Sequence, residues 1–249
     1  MYQKTRGFKE PLSFNDRLNP SISVWQGFYR KGTLNYGEGM GISIKPGTIE
    51  TILVILLEIG FIGLAVHARN TNDIPRMYIA IGSFFIPLIP YAVERLARIS
   101  FPVGIKFMIP LALFIHTAGG IMDWYWSPVF PLYDKLAHFV SGIAVGLVIL
   151  VFFLFLDKYG VRFKRSTVLI GIFLIVAILG GFWKIGEVYI DITRNAMFDE
   201  GLPDLIGDDI CHTLGSIAAV IVSWLYFLTI PEGKGLSFLL RKNKPGNPD

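Results

Sequence analysis

The 249-residue sequence is poor in charged residues and has almost no cysteine. Asp, Glu, Lys and Arg make up 17% of the chain, whereas hydrophobic residues make up 53% and the mean hydropathy is +0.54. Soluble domains typically carry about 25% charged residues, so this composition excludes an ordinary soluble globular domain. The single cysteine, Cys211, excludes an internal disulfide framework and a zinc site built from several cysteines.

Signatures of common enzyme classes and of nucleic-acid binding are also missing. The chain contains no HExxH, GxSxG or P-loop pattern. The net charge is only +4, and no basic stripe interleaved with aromatics occurs, so no nucleic-acid partner is expected. Residues 1–48 do not show a basic start followed by an apolar core, so we expect no cleavable signal peptide.

Long apolar runs dominate what the sequence does contain. Each run approaches the roughly 20 residues that a helix needs to cross about 30 Å of hydrocarbon. Pro87, Pro90 and Pro110 fall inside two of the runs and predict kinks there. The sequence therefore predicts an all-α fold, a polytopic transmembrane helical bundle of about six transmembrane helices. We place these at about 49–68, 76–97, 102–122, 134–156, 166–190 and 205–230.

Flanking segments complete the predicted organisation. Residues 1–48 form a polar N-terminal arm rich in Gly and Pro, residues 49–230 the six-helix transmembrane domain, and residues 231–249 a basic C-terminal tail that we expect to be disordered. Of the 23 Lys and Arg residues, 18 fall on one side of the predicted membrane and five on the other. Because positive residues stay inside, both termini are predicted to be cytoplasmic, in a multi-pass protein of the cell membrane.

Four of the predicted helices carry ionisable residues near the end that should face outward. Ionisable residues inside a membrane segment are rare and are functional candidates by default. Residues that merely fix one helix to another would have no reason to share one depth. The candidates are His116 in the third helix, Asp134 and His138 in the fourth, Glu187 in the fifth, and Asp204, Asp208 and His212 in the sixth.

The types of these side chains indicate metal or acid/base chemistry. Imidazoles and carboxylates supplied by facing helices suit a divalent ion such as zinc, manganese or magnesium. Asp204 better fits a helix N-cap, because acidic residues favour helix starts. The candidate catalytic residues are Asp134, His138, Glu187 and Asp208, and the candidate metal ligands are His116, His138, Glu187, Asp208 and His212.

Four segments together resemble a known family. HTAGG at 116–120, YDKLAHFVSG at 133–142, WKIGEVY around Glu187 and DLIGDDICHTLG at 204–215 resemble the YjdF-like integral membrane proteins, which are similar to the wider VanZ-like group. The resemblance covers roughly residues 100–220 and implies a multi-helix membrane protein. VanZ-like members are associated with glycopeptide-antibiotic tolerance and the cell envelope. His212 and the N-terminal arm depart from the family pattern.

Three functions fit these observations. The first is a metal-assisted or acid/base enzyme that acts on a lipid or lipid-linked substrate from the outer leaflet, with membrane lipids as its partners. The second is a proton-coupled transporter, although only Glu58 and Glu94 could continue a relay across the membrane. The third is a non-catalytic protein whose polar residues only fix the helices. The oligomeric state is left open.

Overall fold

A computed structural model describes residues 45–194 and 201–242. Most of the predicted N-terminal arm, residues 1–44, lies outside the described residues, as does the end of the chain after 242. The described part is almost entirely helical. Its helices are α1 (Pro46–Asn70), α2 (Ile74–Phe85), α3 (Leu88–Ala97), α4 (Ile105–Ile121), α5 (Tyr133–Lys158), α6 (Arg165–Arg194) and α7 (Leu202–Leu228), with short 3-10 turns at Trp124–Trp126 and Leu236–Leu239.

Five helical segments of the described chain are long and apolar enough to cross a membrane. They are Pro46–Asn70, Ile74–Ala97, Tyr133–Lys158, Arg165–Ile190 and Pro203–Leu228. The sixth predicted span corresponds to α4, an apolar helix of 17 residues. At 1.5 Å per residue it extends about 26 Å, slightly less than the hydrocarbon thickness of about 30 Å. These helices confirm the predicted all-α membrane bundle.

Proline shapes the second span as the sequence predicts. The helix is interrupted at Ile86 and Pro87, so that Ile74–Ala97 consists of α2 followed by α3. A proline lacks the N–H that would continue the helical ladder, which explains the break. Pro110, in contrast, lies inside α4 without ending it.

Helix α5 occupies the centre of the bundle and packs against α4, α6 and α7, while α1 packs against α2 and α4. The largest core cluster joins α5, α6 and α7, where Leu150, Ile172 and Phe227 are fully buried or nearly so. Mutual burial of these apolar side chains fixes α6 and α7 against α5. This packing brings the polar starts of α5 and α7 next to each other.

The end of the bundle that carries the 122–132 connection and the starts of α5 and α7 is called the site end below. Arg76, at the start of α2, forms an ion pair with Asp123 there, with 3.1 Å between Nη1 and Oδ1. Trp124 packs beside the small cluster of Leu64, Ala68 and Ala118 between the neighbouring helices. The connections at this end are therefore tied to one another by both charge and apolar contact.

The opposite end corrects one prediction. Residues 231–242 were expected to be part of a disordered tail, but Leu236, Leu239 and Leu240 are buried in the main core. A two-residue strand, β1 (Ile99–Ser100), pairs antiparallel with β2 (Arg241–Lys242). The backbone N–H of Ser237 also donates to Asp157 Oδ2 at 2.8 Å. The tail is polar in composition, yet its few leucines pack against apolar side chains of the core, and composition alone does not predict this contact.

Candidate functional site

Glycines bring α5 and α7 together just below the polar residues. A Cβ placed on Gly215 would lie 3.0 Å from the Cα of Gly142 and would clash with the carbonyl oxygen of Phe139. Small residues allow two membrane helices to approach this closely. His138 lies one turn before Gly142, and Asp208 lies two turns before Gly215, so the contact places the two side chains side by side.

Asp208 is the centre of the site and is only 1% exposed. Its Oδ1 accepts from Lys135 Nζ of α5 at 2.5 Å, and its Oδ2 accepts from Lys184 Nζ of α6 at 2.5 Å. A carboxylate buried in a membrane segment requires such compensation, because its desolvation is otherwise very costly. One aspartate thus joins three helices.

His138 is buried and faces two carboxylates. Its Nε2 lies 3.5 Å from Asp134 Oδ1 and 3.5 Å from Asp208 Oδ2. Asp134 is one helical turn earlier on the same face of α5, as the four-residue spacing predicts. One ligand atom from each of the three residues lies within 4.8 Å of the other two. The structure therefore assembles Asp134, His138 and Asp208 into one group that could hold a metal ion.

Lys135 connects a further aspartate to this group. Its Nζ lies 3.2 Å from Asp134 Oδ2 and forms an ion pair with Asp204 Oδ1. The prediction that Asp204 caps α7 is wrong, because the N-cap residue is Gly201 and Asp204 lies in the first turn. Its carboxylate is directed instead at the lysine of a neighbouring helix. The first turn of α7 therefore contributes charge to the site.

Glu187 is linked to Asp134, His138 and Asp208 through Lys184. Its Oε2 forms an ion pair with Lys184 Nζ at 2.5 Å, and its Oε1 accepts from Trp183 Nε1 at 2.6 Å. Lys184 is thus shared between Glu187 and Asp208. Glu187 belongs to the same network, but its carboxylate contacts a lysine and a tryptophan rather than the histidine.

His116 uses both ring nitrogens for other partners. Nδ1 lies 2.6 Å from the Tyr125 hydroxyl and Nε2 lies 2.7 Å from Ser141 Oγ. The His116 ring is perpendicular to the His138 ring, with 5.9 Å between centroids. Burial raises the pKa of the Tyr125 hydroxyl well above its usual range, so Tyr125 remains a neutral hydrogen-bonding group. His116 lies beside the predicted metal ligands without contacting a carboxylate in this arrangement.

His212 also lies at the edge of the group. Its Nε2 is 3.2 Å from the carbonyl oxygen of Val176 on α6. Gly180 leaves the space that this imidazole occupies, since a Cβ there would lie 2.5 Å from His212 Cδ2. A small cavity of about 10 Å³ adjoins this edge, with room for about one water-sized group. Its lining includes His138, Lys184, Asp208 and His212.

Sequence reasoning missed several members of the network. Lys135 and Lys184 lie within predicted spans, where a lysine is itself a signal of function, yet neither is among the predicted site residues. Tyr125 and Ser141 are likewise absent from the predicted site residues. The two lysines could have been found by asking which cations neutralise the buried carboxylates.

Comparison with known proteins identifies a family but no activity. A family model described as a predicted membrane protein, DUF2238, matches residues 49–229, which include every helix that forms the site. No curated protein and no solved structure matches the chain. The match agrees with the YjdF-like resemblance of the four motifs, whereas nothing in it concerns the VanZ-like group. Because the match extends over most of the chain, this multi-pass membrane protein belongs to the DUF2238 family.

Proposed function

We propose that Asp134, His138 and Asp208 form the divalent-metal centre of a membrane-embedded enzyme that acts on a lipid or lipid-linked phosphate. The observation that carries this proposal is the position of His138 Nε2, 3.5 Å from a carboxylate oxygen of each aspartate. Good N–H···O hydrogen bonds are about 2.7–3.2 Å long, so both separations exceed that range. Two ligands about 2.1 Å from one tetrahedral zinc ion are about 3.4 Å apart, which matches the observed spacing.

The charge of the site supports a divalent cation. Four carboxylates, those of Asp134, Asp204, Asp208 and Glu187, face two ammonium groups, those of Lys135 and Lys184. When all four carboxylates are ionised and the histidines are neutral, four negative and two positive charges leave a net charge of −2. An uncompensated double charge is costly in a membrane segment, and a divalent ion would neutralise it.

Both lysines compete with a metal ion for the carboxylate oxygens of Asp208, and their other contacts resolve this competition. Each lysine has a second acidic partner, because Lys135 also pairs with Asp204 and Lys184 with Glu187. An oxygen of Asp208 can therefore bind a metal ion while each ammonium group remains paired with its second carboxylate. The residues present thus fit a bound divalent ion, with Asp134, His138 and Asp208 as its ligands. His116, Glu187 and His212 have other partners and are better assigned to positioning the site.

The surrounding residues suit an anionic substrate. A divalent ion in this position would supply a Lewis acid and a water molecule of lowered pKa. Lys135 and Lys184 would hold phosphate oxygens by charge-assisted hydrogen bonds, which is how lysines stabilise transferring phosphoryl groups. The site end is predicted to face outward, so the substrate would be taken from the outer leaflet. A relation to the VanZ-like group, and with it a role in the cell envelope, forms part of the same proposal.

Metal analysis of the purified protein tests the proposal. We expect about one zinc, manganese or magnesium ion per wild-type chain, and loss of that ion in His138→Ala and in Asp208→Asn. His67→Ala is the matched control, because His67 is an exposed histidine in the last turn of α1 and should leave the metal content unchanged. Elution as a single species in size-exclusion chromatography verifies the folding of each variant. A folded wild type without metal, even after incubation with the three ions, would refute the metal centre.

A purely structural network is the second candidate. It is favoured by the pairing of both Asp208 oxygens with lysines, which already links α5, α6 and α7. This candidate predicts that Asp208→Asn lowers the melting temperature and that no metal binds to any form of the protein. A proton-coupled transporter is less well supported, since the close contact of Gly142 with Gly215 leaves no room between α5 and α7 below the site.

A further inference from the structure

An apolar groove runs between α1 and α2, outside the polar site. It has a volume of about 370 Å³ and is lined mainly by hydrophobic side chains of both helices, with Arg69 among them. Phe61, Ala65, Met77, Ala80 and Phe84 form part of its wall. We propose that this groove binds one acyl chain of an anionic phospholipid whose phosphate contacts Arg69. The inference does not depend on the metal centre.

The dimensions of the groove fit an acyl chain. Its lining on α1 extends from Phe61 to Arg69, a rise of about 12 Å at 1.5 Å per residue. One leaflet contributes about 15 Å of the hydrocarbon core, half of its total thickness of about 30 Å. The groove therefore follows most of the depth of a single leaflet. Arg69 lies in the last turn of α1, at the site end of the groove.

Charge complementarity selects the headgroup. Arg69 is exposed, and no ion pair or side-chain hydrogen bond of Arg69 occurs within residues 45–194 and 201–242. Arg76, close by at the start of α2, is instead neutralised by Asp73 and Asp123. An arginine at the end of a membrane helix can extend its guanidinium to the headgroup level, where it binds phosphate by two parallel hydrogen bonds.

The surroundings of the groove favour a lipid over a soluble partner. Residues that border it, such as Ile62 and Phe85, are more than half exposed although they are large and apolar. Within a membrane such side chains face hydrocarbon, where a soluble protein cannot reach them. An occupant that combines an apolar chain with a phosphate at the level of Arg69 is a phospholipid, and the positive charge of Arg69 favours one whose headgroup carries a net negative charge.

Native mass spectrometry of the full-length protein tests the lipid site. The purified protein is mixed with phosphatidylglycerol or with phosphatidylcholine of the same acyl chains, and the retained lipid is counted. We expect the wild type to prefer phosphatidylglycerol and Arg69→Gln to lose about fivefold in its retention, the upper range for removal of one exposed charge contact. Ala65→Leu, which enlarges a side chain in the groove wall, should lower retention of both lipids.

Matched controls lie on α3. Arg95→Gln removes an exposed arginine elsewhere on the bundle, and Ala92→Leu enlarges an exposed alanine outside the groove. Both variants should behave like the wild type. Equal retention of the two lipids by the wild type would overturn the proposal, as would unchanged retention in Arg69→Gln. A lipid-free dimer that Ala65→Leu dissociates would assign the groove to a second copy of the chain instead.

Discussion

Two glutamates of α1 show that the surroundings of a buried carboxylate determine whether it stabilises or destabilises the protein. Glu50 is 5% exposed and accepts from the backbone N–H groups of Gly104 and Lys106, at 2.8 and 3.1 Å. It therefore satisfies the first turn of α4 from a neighbouring helix. Both carboxylate oxygens of Glu58 are buried as well, but they find no hydrogen-bond partner among the residues that the structure describes.

Substitution of these glutamates should change stability in opposite directions. Glu50→Ala leaves two half-buried N–H groups without their acceptor, and we expect a loss of about 1–3 kcal/mol in the free energy of unfolding. Glu58→Leu removes a desolvated group without a partner, and we expect the melting temperature to rise by about 2–4 °C for each kcal/mol gained. Thermal unfolding in one detergent measures both. A lower melting temperature for Glu58→Leu would mean that Glu58 has a stabilising partner.

The sequence predicted the members of the site better than their contacts. Asp208 and His212 are one turn apart and were expected to act together, yet Asp208 faces two lysines whereas His212 faces the carbonyl oxygen of Val176. Spacing determines which residues share a face of a helix, but it does not determine which neighbour that face meets. The rotation of α7 is fixed instead by packing against α5, which only the structure shows.

At the level of the helices, the contact between α5 and α7 is the feature that holds the site together. Gly142 and Gly215 meet there with no space for a side chain, whereas Gly186 of α6 has no neighbouring atom within 4 Å of an added Cβ. The same substitution, glycine to alanine, therefore tests two environments. A difference between the two variants reports the contact itself, because the intrinsic helix propensity changes equally.

Gly215→Ala should destabilise the bundle and Gly186→Ala should not. Overpacking at a tight contact typically costs about 1–3 kcal/mol, which would lower the melting temperature of Gly215→Ala. Gly186→Ala should gain up to about 1 kcal/mol, because alanine is the better helix former. Thermal unfolding of the two variants beside the wild type measures the difference. If both variants melted at the same temperature, α5 and α7 would have to be farther apart than the structure places them.

The predictability of the helices follows from the length and composition of their sequences. Apolar runs of about 20 residues identified the spans, and Pro87 marked the break between α2 and α3. The prediction for residues 231–242 was wrong because their apolar residues form only one short stretch, LSFLL at 236–240, which is flanked by polar and glycine residues. Their burial depends on partners such as β1 and Asp157, which are distant in the sequence. Tertiary contacts of this kind override local composition.

At the scale of the whole molecule, the distribution of charge predicts the orientation of the protein in the membrane. The excess of Lys and Arg on one side predicts that the site end faces outward. The proposed substrate in the outer leaflet depends on this direction. Two exposed residues in connections at opposite ends provide matched positions for a test, since Val129 is 74% exposed and Tyr159 is 75% exposed.

Cysteine labelling in intact cells measures the orientation. In a Cys211→Ala background, which removes the only native thiol, Val129→Cys and Tyr159→Cys are treated with a membrane-impermeant maleimide. We expect Val129→Cys to react in intact cells and Tyr159→Cys to react only after the cells are permeabilised, because positive residues retain the 159–164 connection inside. The reverse pattern would place the site at the cytoplasmic face, so that Asp134, His138 and Asp208 would meet substrates of the inner leaflet. Reaction of both cysteines after permeabilisation confirms that each position is exposed, so a difference in intact cells reports sidedness alone.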